Sequence, residues 1–269
     1  MEYLLSILAG IIQGVAEFLP ISSSGHLVLF HDIFGFNLPD DLLFDVILHW
    51  GTLIALVWFF YRDIWQIIRG FLASLTNWNL ANDFNQRLAW LLVIGTIPAV
   101  VIGYFFEKFI VANFRSAISV AAMLIIGAIL FWIFEKYSRQ QRNIGSINKW
   151  DSLIIGGAQA LALIPGVSRS GITIIAGLGR NIKREDAAKF SFLLSIPVVF
   201  GAGLKEIFSL GPVSEINFLS LFLGFLFSAL TGYLAIKFLL KYLSHHSLNI
   251  FAWYRLIIGC LILIWFFFR

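Results

Sequence analysis

Residues 13–26 read QGVAEFLPISSSGH, and residues 159–173 read QALALIPGVSRSGIT. Both stretches interrupt apolar sequence with a glutamine, a proline and a cluster of serine and glycine. In each one the glutamine precedes the first serine of the cluster by nine residues, so the two clusters match at an offset of 146. A matched pair of broken apolar segments in two halves of a chain indicates a binding site at the midplane of a membrane.

The composition of the whole chain indicates an integral membrane protein. Of its 269 residues, 59% are hydrophobic and 13% are charged, whereas soluble domains carry about 25% charged residues. The mean hydropathy is +0.88. We expect one polytopic membrane domain over residues 1–269, surrounded by membrane lipids and without a nucleic-acid partner. Cys260 is the single cysteine, so an intrachain disulfide is excluded.

The apolar pattern predicts an all-α fold. A hydrocarbon core of about 30 Å requires roughly 20 apolar residues per spanning helix. Two further apolar segments, 4–19 and 152–164, are short for a span and run into the serine clusters, which predicts two re-entrant helical hairpins. The six predicted spans are 43–61, 88–107, 116–135, 189–208, 217–240 and 249–268.

The matched offset also predicts an internal duplication, with repeat halves of about 1–135 and 150–269. Three spans separate the two hairpins, so the halves should have inverted topology. Basic residues are enriched in cytoplasmic loops. If the first hairpin and the acidic loop 32–45 lie outside, thirteen basic residues fall inside and four outside. The segment 70–87 has a mixed pattern that fits either an interfacial helix or a loop.

Arg169, in the second cluster, is the first candidate site residue. An ionisable group at membrane depth is costly and indicates function by default, although a structural ion pair with Glu17 is the alternative. Hydroxyls and backbone N–H groups at a helix N-terminus favour an anion, and a guanidinium can donate two hydrogen bonds to phosphate oxygens. We therefore predict a phosphate site whose binding groups are Ser22, Ser24, Ser168, Ser170, Gly171 and Thr173.

Gln13 and Glu17 are four residues apart and share one helix face. Their oxygen atoms could hold Mg²⁺ or Ca²⁺, which prefer oxygen ligands and substrate phosphates. Glu17 could instead act as a base. The three serines resemble an N-cap cluster, and a serine becomes a nucleophile only with a base within reach. Ser23 is the predicted nucleophile, with Ser22 and water as alternatives.

Among the histidines, His26 is the predicted acid, base or phosphate acceptor because it adjoins the serines and Glu17. Asp32 could instead pair with it in a structural role. His49 is expected to pack in the bundle or to line a pore. Arg255 follows the aromatic run FAWY, and we expect its side chain to snorkel to lipid headgroups.

Taken together, QGVAEFLPISSSGH and PGVSRSGIT resemble the two motifs of the bacterial undecaprenyl-diphosphate phosphatase family, which is linked to bacitracin resistance. The resemblance covers the whole chain. It fits a Glu or Gln four residues before Glu17, a serine-rich segment ending in Gly25-His26, and the pattern PGxSRSxxT over 165–173. Gln13 stands where many members carry Glu, which removes one negative charge from the predicted cation site.

The resemblance implies hydrolysis of undecaprenyl diphosphate to undecaprenyl phosphate, which recycles the lipid carrier of cell-wall peptidoglycan. It also implies dependence on a divalent cation, and a site in the bacterial inner membrane that opens to the extracytoplasmic side. The catalytic groups would be Glu17, Ser23, His26 and Arg169. The alternative is a transporter or flippase of an anionic lipid, since inverted repeats are typical of transporters. The oligomeric state stays open, with a homodimer among the alternatives.

Overall fold

The structure, a computed structural model, is a bundle of helices. It describes residues 2–34, 41–114, 116–209 and 217–268. Over these ranges the only paired extended backbone is one isolated bridge between Arg142 and Ile182. The all-α prediction is therefore confirmed. The helices are α1 (Glu2–Phe18), α2 (Ser23–Phe34), α3 (Asp41–Phe59), α4 (Tyr61–Ser74), α5 (Phe84–Phe114), α6 (Ala117–Tyr137), α7 (Lys149–Leu161), α8 (Arg169–Gly179), α9 (Arg184–Ser209), α10 (Phe218–Leu243) and α11 (Asn249–Phe267).

All six predicted spans correspond to helices. In the described chain, α5, α6, α9, α10 and α11 are each long and apolar enough to cross a membrane by themselves. The sixth span, α3, passes the same test only together with α4, and the two axes meet at 82°. The bend at Phe60 therefore divides one apolar stretch into two helices. The segment 70–87, expected to be an interfacial helix or a loop, contains the end of α4, a turn and the start of α5.

The short helices α1 and α7 are held by long neighbours through close backbone contact. Gly10 of α1 faces Gly224 of α10, and a Cβ atom at Gly10 would overlap the carbonyl oxygen of Gly224. Likewise, a Cβ atom at Gly156 of α7 would overlap the carbonyl oxygen of Gly95 in α5. Small residues allow such approach, which supplies the packing energy between helices in lipid. Gly10 and Gly156 are themselves 146 positions apart.

Basic segments assigned to the inner side come together at one end of the bundle. Arg142 and Arg180 both form ion pairs with Asp151, whose side chain is fully buried at the start of α7. Arg184 pairs with Glu135 at 2.6 Å. Burial alone raises the pKa of the Asp151 carboxyl, but hydrogen bonds from Arg142, Arg180 and the Asn148 N–H outweigh it and hold that pKa below its usual range. The acidic loop expected on the other side falls partly on residues 35–40, outside the described chain, as do Arg115 and Arg269.

Candidate active site between two broken helical hairpins

The first break separates α1 from α2. Pro20 follows the end of α1 and cannot continue a helix, and Ser22 then adopts a φ of 78°. This left-handed region is strained for any residue with a Cβ atom. The hydroxyl of Ser22 accepts a hydrogen bond from the N–H of Gly25 at 3.3 Å. Ser22 therefore caps α2, in agreement with the N-cap interpretation of one serine.

The second break, between α7 and α8, has the same local geometry. Ser168 adopts a φ of 70° and its hydroxyl accepts from the N–H of Gly171 at 3.2 Å. Ser170 of this break reaches the first one, since its hydroxyl lies 3.4 Å from the carbonyl oxygen of Leu19. The two serine clusters therefore fold alike and lie against each other, as their sequences suggest.

Arg255 in α11 holds both breaks together, and here the prediction of a snorkelling arginine is wrong. Its side chain is fully buried and its guanidinium lies over the ring of Phe131. The prediction was wrong because an aromatic run does not show which face of the helix packs against the rest of the protein. The guanidinium donates to backbone carbonyl oxygens of both breaks and of α6, those of Pro20, Gly166, Val167, Met123 and Leu124.

Glu17 and Arg169 meet where the hairpins face each other. Arg169 Nη2 lies 2.7 Å from Glu17 Oε1. The other carboxylate oxygen accepts hydrogen bonds from Ser23 Oγ at 2.6 Å and from Gln13 Nε2 at 3.1 Å. Both charged side chains are mostly buried, with exposed fractions of 8% for Glu17 and 14% for Arg169. A carboxylate, a guanidinium and a hydroxyl thus lie within direct hydrogen-bonding reach.

This cluster borders a cavity of about 170 Å³. Residues of both hairpins and of three long helices line it. They are Ala16, Glu17, Ser23, Ser24, His49, Ala99, Gln159, Ala162, Leu163, Ser168, Arg169, Val198 and Val199.

Three buried polar atoms of cavity-lining residues have no partner among the described residues: Arg169 Nη1 and both amide atoms of Gln159. Gln13 Oε1, which lies behind the cavity, has none either. Unpaired buried donors and acceptors are costly and call for a ligand or water. The free guanidinium nitrogen suits an anion, and the free amide donors and acceptors suit water or a cation bound with that anion.

Apart from His26, the predicted site residues divide into two groups. Those that line the cavity are Glu17, Ser23, Ser24, Ser168 and Arg169. The others support the breaks: Gln13, Ser22, Ser170 and Gly171 lie buried behind the cavity, and the Thr173 hydroxyl lies 2.7 Å from the carbonyl oxygen of Arg169 and 2.6 Å from Ser191 Oγ.

His26 is placed away from the cavity lining. Its Nδ1 donates to the carbonyl oxygen of Ser22 at 2.7 Å, which leaves Nε2 of the neutral ring to accept from the hydroxyl of Tyr254 at 2.7 Å. Both ring nitrogens are therefore engaged on the α11 side of α2. A catalytic role for His26 stays a prediction. The side chain of Asp32, its suggested alternative partner, lies outside the described residues.

His49 of α3 is the histidine that lines the cavity. Its Nε2 lies 3.8 Å from Glu17 Oε2, and its Nδ1 lies 2.8 Å from the carbonyl oxygen of Asp45. The sequence signal was weak, since His49 stands alone in an apolar helix with no neighbouring motif. Only its polarity in that helix favoured a position at a pore.

Comparisons with known proteins place this arrangement in context. A family model described as "Bacitracin resistance protein BacA" matches residues 6–261. The chain is 42% identical to "Undecaprenyl-diphosphatase" of Desulforudis audaxviator, over 96% of this chain and 95% of that protein. It is 43% identical to the protein of the same name from Moorella thermoacetica, over the full length of both, and 43% identical to that of Halothermothrix orenii, over 98% of both.

Proposed function

Because the chain belongs to the bacitracin resistance protein BacA family, we propose that it hydrolyses undecaprenyl diphosphate to undecaprenyl phosphate and inorganic phosphate. This reaction recycles the lipid carrier of cell-wall synthesis. The observation that carries the proposal is the meeting of Glu17, Ser23 and Arg169 at one cavity inside an apolar bundle. It supplies a nucleophile, a proton acceptor and a phosphate-binding cation.

Arg169 binds the terminal phosphate. Its Nη1 is a free donor, while Nη2 is held by Glu17, so the guanidinium is fixed before substrate arrives. Donors that are fixed in advance stabilise the charge of a transferring phosphoryl group at no reorganisation cost. Ser24 and Ser168, which also line the cavity, add hydroxyl donors to the same oxygens.

Ser23 attacks the terminal phosphorus in the first of two steps. Its Oγ donates to Glu17 at 2.6 Å, so the carboxylate takes the proton as the Oγ–phosphorus bond forms. The bond from that phosphorus to the bridging oxygen breaks, and undecaprenyl phosphate leaves. In the second step water attacks the phosphoserine, the Oγ–phosphorus bond breaks, and the water's proton passes to a phosphate oxygen. Ser23 recovers its own proton from Glu17, and phosphate leaves.

A divalent cation, Mg²⁺ or Ca²⁺, would find few ligands beside Ser23, since the described residues contain no cluster of three or more His, Cys, Asp or Glu side chains that could hold a metal ion. Glu17 supplies the one carboxylate, and Gln13 carries a buried oxygen without a partner. An amide flip would bring that oxygen toward the carboxylate in place of Nε2, since the two ends of a glutamine amide are nearly alike in shape. When bound, the ion would neutralise charge on the phosphate oxygens.

We further propose that the two hairpins are inverted repeats in the bacterial cytoplasmic membrane and that the cavity opens to the extracytoplasmic side. The similar φ angles of Ser22 and Ser168, 78° and 70°, support the repeat. The thirteen-to-four distribution of basic residues supports the orientation. A homodimer stays a prediction that the mass of the protein in detergent micelles tests.

The proposed reaction is tested by phosphate release from undecaprenyl diphosphate in detergent, where vectorial transport has no second compartment. We expect turnover by the wild-type protein with added Mg²⁺ or Ca²⁺, and loss of turnover in Ser23→Ala. Absence of release with either cation would contradict the phosphatase and favour the transporter alternative.

A further inference from the structure

Gln159 is a buried polar residue of the cavity lining that the proposed reaction does not use. It lies in the last turn of α7, it is 2% exposed, and it borders the cavity. Both polar atoms of its amide, Oε1 and Nε2, lack a hydrogen-bond partner among the described residues. A buried amide without partners is costly in the unliganded protein, which indicates that a ligand supplies the partners.

The corresponding glutamine of the first hairpin has a partner within the protein. Gln13 precedes Gln159 by 146 residues, and its Nε2 donates to Glu17 at 3.1 Å. At the position of the second half that corresponds to Glu17, the chain carries Leu163. The second hairpin therefore presents an amide without a neighbouring carboxylate, and both polar atoms of that amide stay available to the cavity.

Packing of α7 against α5 fixes the position of Gln159. Gly156 precedes it by three residues and so lies on the same helix face, and a Cβ atom at Gly156 would overlap the carbonyl oxygen of Gly95. Ala99, one turn after Gly95 in α5, lines the cavity together with Gln159. The close contact between the two helices thus continues to the cavity and holds the amide in place before substrate binds.

A diphosphate satisfies only one end of this amide. Its ionised oxygens accept hydrogen bonds, so they can pair with Nε2, whereas Oε1 is itself an acceptor and needs a donor. Water, the second reactant of the proposed hydrolysis, carries O–H donors. The amide of Gln159 therefore fits a phosphate oxygen at Nε2 and a water molecule at Oε1 at the same time.

We propose that Gln159 positions the water that attacks the phosphoserine in the second step. Nε2 donates to an oxygen of the phosphoryl group on Ser23, and Oε1 accepts a hydrogen bond from one O–H of the water. The bond from the water oxygen to phosphorus forms as the bond from phosphorus to Ser23 Oγ breaks. The other proton of the water passes to a phosphate oxygen, and Oγ takes back the proton held by Glu17. This inference rests on the proposed phosphatase reaction and its Ser23 intermediate.

The test compares Gln159→Met with the wild-type full chain in detergent, with undecaprenyl diphosphate as the substrate. Methionine has nearly the length of glutamine but lacks its N–H donors and its carbonyl acceptor. We expect kcat for phosphate release to fall by at least ~100-fold, the cost of a misplaced reacting group. Acid quenching during turnover should reveal phosphoserine at Ser23 by mass spectrometry, with a burst of undecaprenyl phosphate equal to the amount of enzyme.

Thermal unfolding without substrate separates this role from a structural one. Removal of an unpartnered amide should leave the melting temperature of Gln159→Met unchanged or higher. Gln86→Met is the matched control, because Gln86 is 3% exposed but its amide is hydrogen-bonded to the backbone of Asn77 and Asn79. The control should lower the melting temperature and keep the wild-type kcat. Gln159→Leu, with a different apolar shape, should give the same results as Gln159→Met.

Wild-type kcat in Gln159→Met would overturn the proposal. A melting temperature several degrees below that of the wild type would also overturn it, since the residue would then support the fold. So would slow phosphate release without phosphoserine and without a burst, because the loss would then lie before the second step. If the wild type itself released no phosphate, the phosphatase proposal would be contradicted, and this inference with it.

Discussion

Arg169 Nη2 lies 2.7 Å from Glu17 Oε1, and this ion pair between residues 152 apart in sequence joins the two broken hairpins. The pair had been the structural alternative to a phosphate site. The geometry allows both roles at once, because the pair uses one guanidinium nitrogen and one carboxylate oxygen. Arg169 Nη1 stays available to the substrate, and Glu17 Oε2 accepts the hydrogen bond of the nucleophile Ser23.

Arg169→Lys should therefore remove most activity although it retains the positive charge. A single ammonium cannot hold Glu17 and also present a second, fixed donor to phosphate. We expect kcat/KM for a prenyl diphosphate to fall by at least ~100-fold, the usual cost of one lost donor to transition-state charge. Arg69→Lys on the exposed face of α4 is the control and should keep normal turnover. Wild-type turnover in Arg169→Lys would contradict the phosphate-binding role.

The positive φ of Ser168 gives a prediction about stability. Ser168→Ala and Ser168→Gly both remove the hydroxyl that caps Gly171, but only alanine keeps a Cβ atom in the strained region. We expect Ser168→Ala to be less stable than Ser168→Gly by about 1 kcal/mol, measured by thermal unfolding in detergent. Equal stability of the two variants would argue against strain at this break.

Arg255 does not line the cavity, but its loss should loosen the two breaks that do. Its five carbonyl partners belong to both breaks and to α6. Those of Pro20, Gly166 and Val167 lie outside the helices, and each buried carbonyl left without a donor costs about 1–3 kcal/mol. Arg255→Met should lower the melting temperature by several degrees and reduce turnover, with Arg255→Lys intermediate.

Gly127→Ala tests the same contact from the other side. A Cβ atom at Gly127 would overlap the guanidinium of Arg255, so this variant should share the phenotype of Arg255→Met. Normal stability and turnover in both variants would show that Arg255 does not hold the breaks together.

The ion pairs of Asp151 with Arg142 and Arg180 make the stability of the fold depend on pH. Its folded pKa lies below the usual value, so the ionised carboxylate contributes stability above about pH 4, the unfolded value. That contribution is lost as the pH falls through the folded pKa. Asp151→Asn should lower stability at pH 7 by about 2 kcal/mol, in the range of hydrogen bonds to charged groups.

The difference in melting temperature between wild type and Asp151→Asn should shrink as the pH falls below about 4, because the unfolded carboxyl is protonated there and the folded one follows as the pH falls through its lower pKa. Thermal scans from pH 7 to pH 3 measure it. A difference that is constant over this range would contradict an ionised Asp151 in the folded protein.

Long helices and both breaks could be predicted from the sequence, because apolar runs, Pro20 and the serine clusters are local signals. Contacts between side chains on distant helices could not be predicted from it. His26 was favoured because it adjoins the serines, yet α2 turns its ring toward Tyr254. His49 and Arg255 lie in apolar helices whose facing direction depends on distant segments, so their contacts with Glu17 and with the breaks appear only in the folded chain.

The most direct test of the single-site account is an experimental structure of the protein with a non-hydrolysable prenyl methylenediphosphonate. We expect the terminal phosphonate in the cavity, with Arg169 Nη1 within hydrogen-bonding distance and Ser23 Oγ on the face opposite the bridging carbon. A headgroup bound outside this cavity, or one with Glu17, Ser23 and Arg169 on separate faces of the protein, would contradict it.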